Sequence, residues 1–272
     1  MSVPKEPHFF CTDLHAESDQ FHGRELFYPF RKEEEYLRLF REARGAQVVG
    51  EASTEYLFSV RAAENIARFA PKARIVVVLR EPAEFVASLH STFCSDMLEN
   101  EPDLAAAFRR GPHRPPPKAR APSLFHYAAR LRYDEQVARY LAVFPRQQVL
   151  VLVFEDLRDA ARETLPRLLE FLGLPGAGTG TLPMLNTRRR PRWLAAARLA
   201  FDPRTLRALR HLLPYHLYGA LAGRAKKLLW RPAGAVSISA ELRREIWATC
   251  EVEIRSLSER LGIDFLARWQ PR

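Results

Sequence analysis

The sequence predicts an α/β fold, a parallel sheet with helices layered on both faces. Three observations predict it. Residues 74–79 (Arg-Ile-Val-Val-Val-Leu) and 148–154 (Gln-Val-Leu-Val-Leu-Val-Phe) are continuously apolar rather than alternating, the pattern of strands covered on both faces. Helical periodicities lie before, between and after these runs, and crossovers of one hand then stack helices on a sheet. The chain has 272 residues, 47% of them hydrophobic and 27% charged, which suits a folded core and excludes a disordered or fibrous chain.

The elements follow in order. Residues 47–50 (Gln-Val-Val-Gly) read as a short strand, and a helix over about 60–69 stops ahead of Pro71. Strand 74–79 leads into a helix that opens at Pro82, whose fixed φ and missing N–H suit a first turn, and runs to about Met97. Residues 111–118 (Gly-Pro-His-Arg-Pro-Pro-Pro-Lys) exclude helix and central strand and predict an exposed loop. A helix over roughly 123–144 precedes strand 148–154, and another over about 160–172 follows it and ends at Gly173. The Gly-rich loop 176–180 follows a helix rather than a strand and lacks a Lys-Ser/Thr pair, so it makes a poor phosphate cradle. Beyond Trp193, helices are predicted over 193–199, 203–212, 215–229 and 239–261. The apolar stretch 213–230 has a basic end that would suit a membrane surface, but packing on the core is favoured. The whole chain, 1–272, reads as one domain, an α/β core over 1–185 and a mainly helical part over 186–272.

Lys and Arg number 42 against 32 Asp and Glu, a net charge of +10. Such a balance favours an anionic partner: nucleic acid, a membrane surface or a phosphorylated small molecule. Two basic clusters stand out, Arg188, Arg189, Arg190 and Arg192, then Arg224, Lys226, Lys227 and Arg231. The planar arginine fork suits phosphate and sulfate, although either cluster would serve equally as a solvated face. Cys11, Cys94 and Cys250 are too far apart for a disulfide framework or a cysteine metal knuckle. No run reaches the ~18 apolar residues of a spanning helix, and the first residues lack an apolar leader. A cytoplasmic protein is the expectation.

Three constellations carry chemistry. In Leu79-Arg80-Glu81-Pro82, a strand ends where a helix opens. Ligands of open α/β sheets bind there, and the helix N-terminus presents free N–H groups. Arg80 would clamp an anion, with Ser88 two turns into the helix. The alternative is an ion pair of Arg80 with Glu81 or Glu84. In Lys5-Glu6-Pro7-His8-Phe9-Phe10-Cys11-Thr12-Asp13, Glu6 or His8 would serve as a general base, oriented by Asp13; a plain polar loop is the alternative. The spacing of His8, His15 and His22 fits no metal-ligand pattern. In Gly50-Glu51-Ala52-Ser53-Thr54-Glu55-Tyr56-Leu57, Ser53 or Thr54 would cap a helix or touch substrate.

Taken together, Lys-Glu-Pro-His-Phe-Phe, Gly-Glu-Ala-Ser-Thr-x-Tyr-Leu and Leu-Arg-x-Pro-x-x-x-x-x-Ser, in this order, resemble the sulfotransferase family. The nearest branch is the bacterial enzymes akin to heparan sulfate sulfotransferases. Residues 132–157, 170–174 and 185–192 resemble the family's later segments, so the likeness spans nearly the whole chain. It implies a P-loop-NTPase-like sheet and transfer of a sulfuryl group from 3′-phosphoadenosine-5′-phosphosulfate (PAPS) to an acceptor hydroxyl or amine, without a metal. It implies that Glu6 is the catalytic base, that His8 and Asp13 support the acceptor site, and that Arg80 and Ser88 bind the 3′-phosphate. It places Arg188, Arg190 and Arg192 in a late loop closing over the nucleotide. Ala52 stands where the animal enzymes commonly carry lysine. The strand, the Lys-x-Gly-Thr-Thr/Ser loop and the first helix that the family sets ahead of Lys-Glu-Pro-His are absent from this sequence. The resemblance therefore implies an N-terminally truncated fold, explained by a late start codon, a shortened gene or a degenerate relative. The first explanation is preferred. The alternative function is a catalytically inactive relative that binds nucleotide or polyanion. A P-loop kinase would need a Walker loop and a Mg²⁺-binding acid, and a nucleic-acid binder would need a recognition helix or stacking motif; neither is visible. The acceptor, whether glycan, lipid or small molecule, meets variable loops over 12–45 and 95–125.

Overall fold

The structure, a computed structural model, describes residues 2, 4–110, 119–174, 189–192, 228–232 and 237–271. Its centre is two parallel strands, β1 (Ile75–Leu79) and β2 (Val149–Val153), in register with Ile75 opposite Val149 and Leu79 opposite Val153. One face carries Val77, Leu79, Val149, Val151 and Val153, which join a core shared with the helices. The other face carries Val76, Val78, Leu150 and Leu152. There Leu152 is 3% exposed and Val78 is 44% exposed, so cover is complete over β2 and open over β1.

The helices in chain order are α1 (Thr12–His22), α2 (Glu33–Arg38), α3 (Ala62–Phe69), α4 (Pro82–Ser95), α5 (Leu104–Arg110), α6 (Tyr133–Val143), α7 (Phe154–Asp159), α8 (Ala161–Phe171), α9 (Ala240–Leu261) and α10 (Phe265–Trp269). α4 starts where Pro82 predicts. The Glu81 carboxylate caps it, accepting from the Ala83 and Glu84 N–H groups at 3.1 and 2.7 Å. α9 is capped by Ser239, which accepts from Leu242 N–H at 3.1 Å. Its buried residues, Leu242, Ile246, Trp247, Cys250, Ile254 and Leu257, recur every three or four positions and form one stripe. α9 lies against α6, where Ser256 and Arg260 both donate to the Asp134 carboxylate. A short antiparallel ribbon, β3 (Arg189–Pro191) with β4 (Trp230–Pro232), sets Arg190 opposite Arg231. The buried Trp230 indole donates to Ser95 at the end of α4, at 3.0 Å to its carbonyl, so the ribbon docks on that helix.

Several expectations are corrected. Residues 47–50 form no strand; a strand exists by pairing, and among the described residues this segment finds no ladder partner. Val48 and Val49 are consequently exposed, at 40% and 48%. The helix expected over 123–144 begins ten residues late, preceded by two 3₁₀ turns, Pro122–Phe125 and Ala129–Leu131. Burial overrides periodicity here: Leu124, Phe125, Tyr127, Arg130 and Leu131 all point inward, more than one helix stripe could bury. The Gln136 amide donates to the Ala129 and Arg130 carbonyls and holds the second turn on α6. The helix expected over about 160–172 is present as α8, and the unexpected part is the short α7 ahead of it, the two parted at Ala160 (φ −126°, ψ 42°). Residues 111–118, 176–180 and the predicted helices between 193 and 227 lie outside the described residues. Among the described residues no helix is long and apolar enough to cross a membrane.

Candidate functional site

The segment Lys5–Asp13 reaches the protein centre in an unusual backbone conformation. Glu6 (φ 55°) and His8 (φ 52°) both occupy the left-handed region, which is costly for residues with a Cβ and persists where surroundings impose it. The Gly50–Leu57 motif imposes it. His8 N–H donates to Ser53 Oγ at 3.1 Å, and Ser53 Oγ donates to Glu51 Oε2 at 2.8 Å. Tyr36 donates to the Glu51 carboxylate at 3.3 Å, and the Tyr56 hydroxyl also donates to it while accepting from Phe10 N–H at 3.4 Å. On the other side, His15 Nε2–H donates to the His8 carbonyl at 2.8 Å. Ser53 therefore neither caps a helix nor lies open; it is buried as a bracket for His8. Both motifs are legible in the sequence; that one holds the other is not.

Glu6 and His8 come together, with His8 Nε2 3.7 Å from Glu6 Oε2. The Glu6 carboxylate remains half-exposed, while the His8 ring is buried. Burial is the main cause of a raised Glu6 pKa; Arg120 opposes it, and Glu55 and Asp96 add to it. Burial pushes the His8 pKa down to about 4 against the attraction of Glu55. At neutral pH His8 is thus a neutral ring and Glu6 the better candidate base. Two residues that the sequence did not single out complete the cluster. The buried Glu55 accepts from Tyr28 at 3.1 Å and pairs with Arg120 Nη2 at 2.7 Å. Arg120 Nη1 lies 3.3 Å from His8 Nε2. His8 Nδ1 approaches Glu55 Oε2 at 3.4 Å, close enough for a charge contact yet too poorly aligned for a hydrogen bond. Glu55 sits inside a motif already noted, so its place was findable; Arg120 had no local signal.

Asp13 is committed elsewhere. Its carboxylate accepts from Ser59 Oγ and from Val60 N–H, the latter at 2.8 Å, and so ties α1 to the turn that starts α3.

The second cluster stands at the carboxyl end of β1. Arg80 Nη2 meets Glu84 Oε2 at 3.2 Å, and its guanidinium lies 4.7 Å over the Phe154 ring. Tyr133 donates to the Arg80 carbonyl at 3.1 Å. Glu84 also binds Arg243 of α9 at 3.3 Å, and Arg243 reaches the capping Glu81 at 2.9 Å. The alternative ion pair weighed from sequence is therefore present. Ser88 lies one turn beyond Glu84 on the same face of α4, so Glu84 stands between the two expected phosphate contacts. Arg190 belongs to β3 and Arg192 follows it, exposed; Arg188 lies outside the described residues.

Residues 5–177 match the sulfotransferase family profile, and the chain belongs to that family. A crystal structure of a sulfotransferase from Alicyclobacillus acidocaldarius is similar in fold, with a TM-score of 0.68 at 23% identity, covering 99% of this chain and 87% of that one. No curated protein matches the sequence.

Proposed function

We propose that the chain moves a sulfuryl group from PAPS to an acceptor hydroxyl or amine. The observation that carries this reading is the Glu6 carboxylate, half-exposed, raised in pKa by burial and held beside a neutral His8 by a dedicated bracket. In the proposed reaction the acceptor oxygen or nitrogen attacks sulfur, the bond from sulfur to the phosphate oxygen breaks, and Glu6 takes the acceptor proton. The nucleotide leaves as 3′-phosphoadenosine-5′-phosphate. Arg80, just ahead of α4, and Ser88, within it, would hold its 3′-phosphate. Arg188, Arg190 and Arg192 would close on it; the docking of the ribbon that contains Arg190 on α4 through Trp230 supports this, because α4 also carries Ser88. Asp13 would support the acceptor side indirectly, by fixing the turn at Ser59 and Val60.

A second reading is binding of nucleotide or polyanion without turnover; the Arg80–Glu84 pair bears on the phosphate contact of both readings alike. Calorimetry with 3′-phosphoadenosine-5′-phosphate tests the shared site. Wild type should bind and Arg80→Ala should lose at least about tenfold in affinity, as expected for a charge-assisted bidentate contact. Equal binding by Arg80→Ala removes the assigned site. Binding without sulfuryl transfer to any of a panel of glycan, lipid and small-molecule acceptors selects the second reading.

A further inference from the structure

Arg120 and Glu55 have no role in the reading above, yet they grip the group beside the candidate base. Arg120 reaches Glu55 Oε1 with Nη2 at 2.7 Å and His8 Nε2 with Nη1 at 3.3 Å. An arginine in a protein keeps its protons, so its N–H donates and His8 Nε2 accepts. That contact fixes the neutral ring with its proton on Nδ1, which lies 3.4 Å from Glu55 Oε2 without a hydrogen bond to it. The charged and titratable groups facing His8 are Glu6, Glu55, Arg120, His15 and Arg130, with the Tyr28 ring edge-on at 5.8 Å. Those facing Glu6 are Arg120, Glu55, Asp96 and Lys5 besides His8 itself. Arg130 is buried at 7% exposure with its guanidinium 4.8 Å over Phe58, so a protonated His8 would meet two guanidinium groups, Arg120 and Arg130, along with the Glu55 and Glu6 carboxylates. The Nε2 lone pair, the one atom of His8 that approaches Glu6 and could take a proton from an acceptor, is occupied.

We propose that Arg120, anchored on Glu55, is a positioning residue that occupies His8 Nε2 and thereby reserves proton abstraction for Glu6. This rests on the sulfuryl-transfer reading for the role of Glu6, while its geometric content does not. His8 is then a spacer whose backbone and ring set where Glu6 stands. Arg120 lies within residues 95–125, a stretch expected to meet the acceptor, so that stretch also contributes the contact that sets the His8 tautomer.

The test uses the intact chain without donor or acceptor. Long-range ¹⁵N–¹H spectra read the tautomer of each histidine, and ¹³C-detected carboxyl titration reads Glu6. Wild type should show His8 protonated at Nδ1 with a bare Nε2. In Arg120→Met the Nε2-protonated form should appear, the His8 titration should move to higher pH, and the Glu6 titration should also move to higher pH. In Arg120→Lys a single ammonium cannot span Glu55 and His8, so the tautomer should mix while Glu6 titrates close to wild type. A purely structural arginine would leave the His8 tautomer in place in any variant that stays folded. An Nε2-protonated His8 in wild type, or an unchanged tautomer in Arg120→Lys, overturns the proposal; the lysine variant decides alone if Arg120→Met does not fold. Because nothing is turned over, failure of sulfuryl transfer leaves this result standing, and an altered tautomer assignment leaves the transfer reading standing.

Discussion

Lowering the pH should destabilise this protein through His8. The ring is 4% exposed, and its pKa falls from 6.5 in the unfolded chain to about 4 in the fold. The sign follows from proton counts. Below the unfolded value the unfolded chain binds a proton that the folded chain refuses, so stability is lost as pH falls from about 6.5 toward about 4. At about pH 5 the two proton affinities give a loss of ~2 kcal/mol, with a ceiling of ~3 kcal/mol at lower pH. Urea unfolding followed by circular dichroism at about pH 7 and about pH 5, for wild type and His8→Gln, isolates the term. Burial also lowers the His15 pKa and raises those of Glu6 and Glu51, but these groups remain in both proteins and largely cancel in the comparison. Wild type should lose ~2 kcal/mol more than His8→Gln between the two conditions. Equal losses would refute the claim that His8 is held neutral.

Three further outcomes follow from the geometry. Glu84→Gln should tighten binding of 3′-phosphoadenosine-5′-phosphate about 1.5- to 5-fold, the range expected for relieving one partly exposed ion pair on Arg80; calorimetry showing weaker or unchanged binding would exclude competition by Glu84. Asp134→Asn should cost about 1–3 kcal/mol, because Arg260 and Ser256 of α9 both donate to that carboxylate on α6, and chemical unfolding measures it. Leu79, 1% exposed at the end of β1, should cost about 2–5 kcal/mol when cut to alanine, read as a shift in the urea midpoint.

The strands and the first turn of α4 were legible because their causes are local. A continuous β-branched run makes a two-faced strand, and Pro82 and Ser239 start helices by their own chemistry. Residues 47–50 have the composition of a strand but depend on a neighbour to become one. The stretch before α6 has helical periodicity, but too many of its side chains are buried for a single face. At the site, Glu6 and His8 were visible as a pair of titratable groups two residues apart. What was not legible is long-range: Ser53 lies 45 positions from the His8 N–H it holds, and Arg120 lies 112 positions from the His8 ring. Arg243 likewise reaches the β1–α4 corner from α9, 159 positions beyond Glu84. No periodicity or spacing rule connects residues so far apart. The two basic clusters looked separate in sequence for the same reason, yet the β3–β4 ribbon sets Arg190 opposite Arg231.

The open side of β1 has a consequence for how the protein behaves in concentrated solution. Among the described residues β1 pairs with β2 alone, and Val78 on the strand is 44% exposed. Unpaired strand edges with apolar side chains template strand addition between molecules. The +10 net charge opposes such encounters by mutual repulsion between copies. That protection is electrostatic and the edge contact is not, so added salt weakens the first while leaving the second intact. Ionic strength, more than protein concentration alone, then governs whether this chain stays dispersed.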